Sequence, residues 1–389
     1  MPLLILAFTG CARAEQAEAT RSSADTVSAA SLNRGPSVRD ILASIMPAAS
    51  DDGVVKIAVL VNHSEGDDTR QFIEGCVSEG RSMGFTVDSF VTGGDEDRCR
   101  RLADGIAQAD YDGLIFAYGG VNFSYDILKP AADRGARIVT FEALPYRDGR
   151  SIKGLVTTFQ DDYSLARLSL ETLLSYSEGG TSRPARVVRL GCDPGITFLD
   201  RRAWEFGRLV SQGSIEEVAM IRLDGLENPR SAAWEALADI LPRFPPGSID
   251  AVWAPWDEFA VGCAEALAAA GRQDIKLISV GVSNEDIRLM LRHAEVWMAS
   301  TAVDRKLAGT VTLRLLAAAL AGETLDDTFS FRPQLLKTEE MNYAVNMANV
   351  SMMVPGWGDA HGLFDQYQWM IDLKAAEGRH PRIPPLAAQ

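Results

Sequence analysis

From residue 53 onward, short apolar runs alternate with amphipathic stretches. Residues 54–61 are β-rich and almost continuously apolar, as in a strand covered on both faces of a parallel sheet. The stretch from Asp68 to Met83 is amphipathic, stops at Gly84 and predicts a helix. Strand-like runs follow at 85–91, 113–118 and 137–141, with helical patterns at 96–107 and 123–134 between them. The rhythm then restarts, with strands expected at 155–159, 186–190, 218–223, 251–254, 277–280 and 296–301. Helical patterns separate them at 161–178, 199–211, 229–241, 257–271 and 284–292, and a long one follows at 304–321. Strand–helix alternation builds βαβ units. The expected fold class is therefore α/β, with two doubly wound parallel sheets in succession. Ligands of such sheets lie beyond the carboxyl ends of the strands.

Those strand ends are rich in paired hydrogen-bonding groups. Asn62 to Thr69 follows the first strand, Tyr118-Gly119-Gly120 the third and Glu142 the fourth. In the second half, Gln160-Asp161-Asp162, Cys192-Asp193-Pro194, Phe198 to Arg202, Trp253 to Glu258 and Val282-Ser283-Asn284 occupy equivalent places. Carboxylates, amides and guanidinium groups bind hydroxyls in pairs with fixed geometry, and aromatic faces pack on C–H patches. The mixture suits a polyhydroxylated ligand.

Each residue also has a plainer structural reading. Asp68, Asp162 and Asp257 stand where helix N-caps stand, and for Asp162 the cap is the reading taken. Trp256 fits either a core or a stacking platform. Arg201 and Arg202 are neighbours on a helix and point apart, so one of them is expected on the surface. His63 reads as a structural hydrogen-bonding residue.

Composition narrows the classes. The 389 residues carry 38 Lys plus Arg against 53 Asp plus Glu, a net charge of −15. Such a surface repels phosphate backbones, so nucleic acid is not an expected partner. Four histidines and five scattered cysteines offer little for a metal, and no Cys-x-x-Cys, His-Glu-x-x-His or Walker-type loop occurs. No cofactor is expected. Cys76 and Cys99 could bridge in an oxidising compartment; four buried thiols at 76, 99, 192 and 263 are the alternative.

The first eleven residues form an apolar run too short to span a bilayer, which reads as a secretory leader cleaved after Ala12-Arg13-Ala14. Thr9-Gly10-Cys11 resembles a lipoprotein box, with Cys11 as the lipidated residue. Residues 15–52 read as a Ser/Ala/Thr-rich tether, with helical spacing at 38–47. A periplasmic location follows from this reading.

Several segments together resemble the type 1 periplasmic sugar-binding proteins of ABC transporters, of which the ribose-binding protein is typical. They are Lys56 to Val61 with Phe72-Ile73-Glu74-Gly75, Tyr111 to Phe116, Trp253 to Gly262 and Ile278 to Val282. The resemblance spans about residues 53–336. It implies two lobes joined by a three-strand hinge, with a sugar held between them and no bond made or broken. First-lobe contacts would come from Asp68, Thr69, the loop Tyr118–Gly120 and Glu142. Second-lobe contacts would come from Arg202 or its neighbour Asp200, and from Trp256, Asp257 and Ser283. The family often has aromatic residues where this chain has Asp68 and Thr69, Asp in place of Gly120 and Ser283, Asn or Asp in place of Trp256, and Gln in place of Ala302. The pocket chemistry therefore differs from that of ribose binders.

By the same resemblance, residues 53–142 with 303–331 would form the N-terminal lobe. Residues 143–302 with 332–389 would form the C-terminal lobe, extended by 337–389. The expected function is that of a monomeric solute-binding component delivering a sugar or sugar-like polyol to an ABC permease by hinge closure. The alternative is a ligand-sensing partner of a membrane receptor or sensor kinase. A lac-repressor-type regulator would need a basic helix-turn-helix where residues 1–50 offer a leader. A dehydrogenase would need a Gly-x-Gly-x-x-Gly turn where Asn62–Asp68 provides none.

Overall fold

β1 (Lys56–Val61) shows how the first half assembles: Ile57, Val59 and Val61 face one apolar cluster while Ala58 and Leu60 face another. A strand buried on both faces needs helices on both sides of its sheet, and the computed structural model has them. It describes residues 44, 54–177, 183–192, 196–224, 228–358 and 362–377. The expected leader, the tether apart from the helical, exposed Ser44, and Asp193–Pro194 lie outside the described residues.

The first sheet runs β2 (Thr86–Val91), β1, β3 (Gly113–Gly119), β4 (Arg137–Ala143), β7 (Val156–Gln160) and β13 (Thr328–Phe331), all parallel. A two-stranded hairpin, β5 (Tyr146–Arg147) with β6 (Arg150–Ser151), interrupts the path from β4 to β7. Helices α1 (Asp67–Ser82) and α9 (Arg305–Leu320) cover one face. Helices α2 (Glu96–Gln108) and α3 (Val121–Asp133) cover the other.

The second sheet repeats the order as β9 (Ile215–Leu223), β8 (Ala185–Cys192), β10 (Ala251–Ala254), β11 (Lys276–Val280), β12 (Trp297–Ala302) and β14 (Gln334–Lys337). Only its edge strand β14 is antiparallel, on β12. Helices α4 (Asp162–Tyr176) and α5 (Thr197–Ser211) lie on one face. Helices α6 (Pro229–Ile240), α7 (Asp257–Ala269) and α8 (Asn284–Arg292) lie on the other. The expected pair of doubly wound sheets is what the chain forms.

Two expectations need correction. The strand at 155–159 is expected in the second lobe, but β7 pairs with β4 and β13 of the first sheet. Hydroxyls fix it there: Thr158 Oγ1 donates to the Thr140 carbonyl at 2.9 Å and lies 3.1 Å from Thr312 Oγ1 of α9. The chain therefore leaves the first lobe after Gln160 and not after Glu142. It returns between β12 and α9 and crosses again between β13 and β14.

The C-terminal extension is expected wholly in the second lobe, but it divides. Met341, Val345, Met347, Val350, Val354 and Trp357 join the apolar cluster of the second sheet. Phe364, Trp369, Met370, Leu373 and Ala376, on or just before α10 (Gln368–Glu377), join the cluster of the first sheet. Burial of these aromatic and aliphatic side chains against α1 and α9 draws the segment back to the first lobe.

Cys76 and Cys99 are separate free thiols, both buried, so no bridge joins them, and burial holds each thiol far above its ordinary range. Cys263 is likewise buried, and Cys192 is half-buried.

Candidate functional site

Helix starts place the charged groups at the strand ends, but the capping is done by other residues than expected. The α4 cap is Asp161, whose Oδ1 accepts from Ser164 N at 3.0 Å. Gly66 and Trp256 occupy the cap positions of α1 and α7. Asp68, Asp162 and Asp257 are thus left to act through their side chains. Asp162 is buried against Arg202, whose Nε and Nη2 reach its Oδ1 at 3.0 and 2.9 Å. Arg202 also donates from Nη1 to the Pro255 carbonyl at 2.5 Å and lies 4.9 Å from the Phe198 ring centroid. Its donors are largely spent on the protein. Arg201 is the more exposed of the two arginines, with Nη1 3.5 Å from Asp162 Oδ2.

Two non-glycine residues at the first-lobe strand ends, Tyr118 (φ 63°) and Glu142 (φ 52°), adopt the left-handed conformation. Side chains seldom occupy that region without a local reason. At Glu142 the reason is visible: its Oε1 accepts from Gln160 N at 2.7 Å, anchoring the point where the chain leaves the first lobe. Burial, opposed by that bond and by Arg305 and Arg202, pushes the Glu142 carboxyl up to about 6. Tyr118 packs on His63 at 4.7 Å and, edge-on, on Phe141 at 5.5 Å.

Across from them, burial first and then the charges of Asp286, Asp68 and Glu258 raise the Asp257 carboxyl well above its ordinary value. Gly281 (φ +104°) makes room for it, since a Cβ there would sit 2.7 Å from the Asp257 carboxylate. Trp256 stacks edge-on with Phe259 at 5.2 Å and Phe198 at 6.2 Å, so part of the ring belongs to the core. Ser283 caps α8 in a capping box with Asp286, with both Ser283 N and Oγ donating to Asp286 Oδ2 at 2.7 Å.

The structure brings Asp68, Tyr118, Glu142, Arg202 and Asp257 into one electrostatic constellation, and the group they share is Arg305. Thr69, beside Asp68, is buried with its Oγ1 lacking a hydrogen-bond partner. Gly120 and Asp200 are exposed, at the N-cap of α3 and in the first turn of α5. Sequence reasoning missed Arg305 and the role of Asp162. A signal for Arg305 was present: a cation in the first turn of a helix opposes the helix dipole, and Arg305 follows the capping Asp304 directly.

Two α/β lobes of repeated topology, crossed three times by the chain, with charged groups from both converging at their strand ends, define a two-lobed solute-binding protein. The chain belongs to the periplasmic binding protein family: the periplasmic binding protein domain matches residues 57–324. A solved sugar ABC transporter protein from Yersinia enterocolitica subsp. enterocolitica 8081 is 31% identical, covers 89% of this chain and 99% of its own, and has a TM-score of 0.72. The solute-binding protein of a 5-methylthioribose transporter from Thermotoga lettingae TMO, solved with 5-methylthioribose, is 26% identical over 82% of this chain and 97% of its own, with a TM-score of 0.68. A solute-binding protein from Agrobacterium vitis with bound allitol, at 20% identity, 77% and 98% coverage and a TM-score of 0.61, shares the fold. A comparison with curated proteins gives no match. This is a binding protein and not an enzyme.

Proposed function

We propose that this chain is the sugar- or polyol-binding component of an ABC importer, taking its ligand between the lobes and presenting the closed form to the permease. The observation that carries this reading is the constellation around Arg305, in which acceptors and donors from both lobes converge beside aromatic rings. A hydroxyl both donates and accepts, so a polyhydroxylated molecule satisfies such a mixture where a simple ion does not. Two relatives support the class, the Yersinia protein as a sugar ABC transporter protein and the Thermotoga protein through its bound 5-methylthioribose. Ligand contacts from both lobes favour closure by their differential affinity for the closed form. Export behind the leader, with lipidation at Cys11, would place the protein beside its permease.

A thermal-shift screen of the chain from residue 15 against pentoses, hexoses, deoxysugars, polyols and 5-methylthioribose tests the reading. A ligand of the folded state stabilises by about 2.7 kcal/mol at one hundred times its dissociation constant. Silence across the panel with folded, ligand-free protein would overturn the sugar class.

A further inference from the structure

Arg305 is placed where the fold gives it little to gain. It stands at the start of α9, where a cation opposes the helix dipole, and its side chain is only 14% exposed. Its Nε reaches Asp68 Oδ2 at 3.3 Å, and its guanidinium lies 5.6 Å from the Phe141 ring centroid. Its Nη1 is buried and has no acceptor. A buried guanidinium donor without a partner is costly. Burial alone would weaken its hold on the proton, yet the acidic groups around it, Asp68 and Glu142 of the first lobe and Asp257 of the second, outweigh burial and strengthen it. The positive charge is therefore fixed at the meeting point of both lobes, with one donor still unused.

The surrounding charges give that placement a second consequence. Asp68, Glu142 and Asp257 all lie within the field of Arg305, while Arg202, the second cation of the constellation, is committed to Asp162 and the Pro255 carbonyl. Without Arg305 the constellation would be dominated by carboxyl groups, an environment that favours an ammonium group over a hydroxyl.

We propose that Arg305 is a specificity-determining ligand contact: it donates from Nη1 to a ligand oxygen, and its charge sets the preference of the site for uncharged polyhydroxylated ligands over their amino-substituted analogues. The inference rests on the sugar or polyol reading above. It goes further in assigning a ligand contact to Arg305, at the hinge crossing that begins α9, which is not among the contacts expected from the sequence.

The experiment is calorimetric titration of the wild-type chain and its Arg305→Met and Arg305→Lys variants. The probes are 5-methylthioribose, D-allose, allitol, and the pair D-glucose and D-glucosamine. For any neutral probe that binds the wild type, Arg305→Met should weaken binding about 10- to 100-fold, the range of one hydrogen bond to a charged group. The ratio of neutral to amino-sugar affinity should fall in the same variant. Arg305→Lys keeps the charge and loses the fork, so it should lose about tenfold toward neutral probes and hold the ratio. Unchanged neutral-probe affinity in either folded variant would overturn the inference and leave the sugar reading standing. Equal loss for neutral and amino probes in Arg305→Met would reduce Arg305 to a structural residue. Wild-type silence toward every probe would overturn the sugar reading and this inference together.

Discussion

Asn284 holds Asp67 across the two lobes: its backbone N and its Nδ2 both donate to Asp67 Oδ2, at 3.0 and 2.9 Å. Asp67 opens α1 of the first lobe and Asn284 opens α8 of the second. The other end of the same amide is also occupied, since Asn284 Oδ1 accepts from Met347 N at 2.9 Å. The C-terminal extension thus orients the side chain that ties the lobes together. Removing the amide by Asn284→Ala should weaken ligand binding about tenfold, because closure then lacks a charge-assisted bond. Small-angle scattering should show a more open unliganded chain. Unchanged affinity and scattering would mean that this pair does not contribute to closure.

Two buried carboxyls give stability a pH dependence of definite sign. Burial raises Glu142 from 4.5 to about 6, and burial raises Asp286 from 3.8 to about 6 against its bonds from Ser283. Their folded values lie above their unfolded ones, so the folded chain holds these protons more tightly. The stability this contributes is complete below about pH 4 and is lost as pH rises through about 6. Glu142→Gln keeps an acceptor for Gln160 N and cannot ionise. Its melting temperature should therefore gain on the wild type between pH 4 and pH 7, by the equivalent of on the order of 1 kcal/mol. Parallel profiles for the two proteins would refute the assignment.

Much of the fold was legible because burial on both faces leaves a mark in the chain. Val54 to Val61 could hardly be read as anything but an inner strand, and the helical spacing around it set the layers. Pattern says that a segment is a strand without saying which sheet it joins, which is why β7 was misassigned: its partners are chosen by the hydroxyls of Thr140, Thr158 and Thr312, distant in sequence. At the site, strand ends pointed to Asp68, Tyr118, Glu142, Arg202 and Asp257. The caps were placed one or two residues off, because an Asp-Asp pair such as Asp161-Asp162 does not disclose which carboxylate turns back to the helix. Arg305 was hidden because its importance lies in the groups around it, which are assembled from both lobes.

Helix α9 can carry Arg305 to the site only if it lies close against α1, and two glycines allow that approach. A Cβ at Gly75 would fall 2.0 Å from the Lys306 carbonyl oxygen, and one at Gly309 would fall 2.0 Å from that of Phe72. Either Gly75→Ala or Gly309→Ala should destabilise the chain by about 3 kcal/mol through overpacking, as read by urea denaturation. Gly105→Ala is the control. It lies within α2 with open space where a Cβ would go, and it should stabilise by about 0.4–1 kcal/mol. Similar behaviour of all three variants would show that α1 and α9 can separate without cost.

The Asp162–Arg202 pair joins the first turn of α4, just after the chain enters the second lobe, to α5. The Asp162 side chain is fully buried and that of Arg202 is 4% exposed, so neither charge can turn to water if the other is removed. Asp162→Ala should therefore cost about 3–5 kcal/mol in chemical denaturation, most of it from the stranded guanidinium rather than from the attraction lost. That distinction has its own test. Replacing both partners, as Asp162→Ala with Arg202→Leu, removes the stranded charge and should recover much of the loss. If the double variant were as unstable as the sum of the single ones, the two side chains would be acting independently. The hinge exit would then be held by Asp161 capping α4 and by the Gln160 N bond to Glu142.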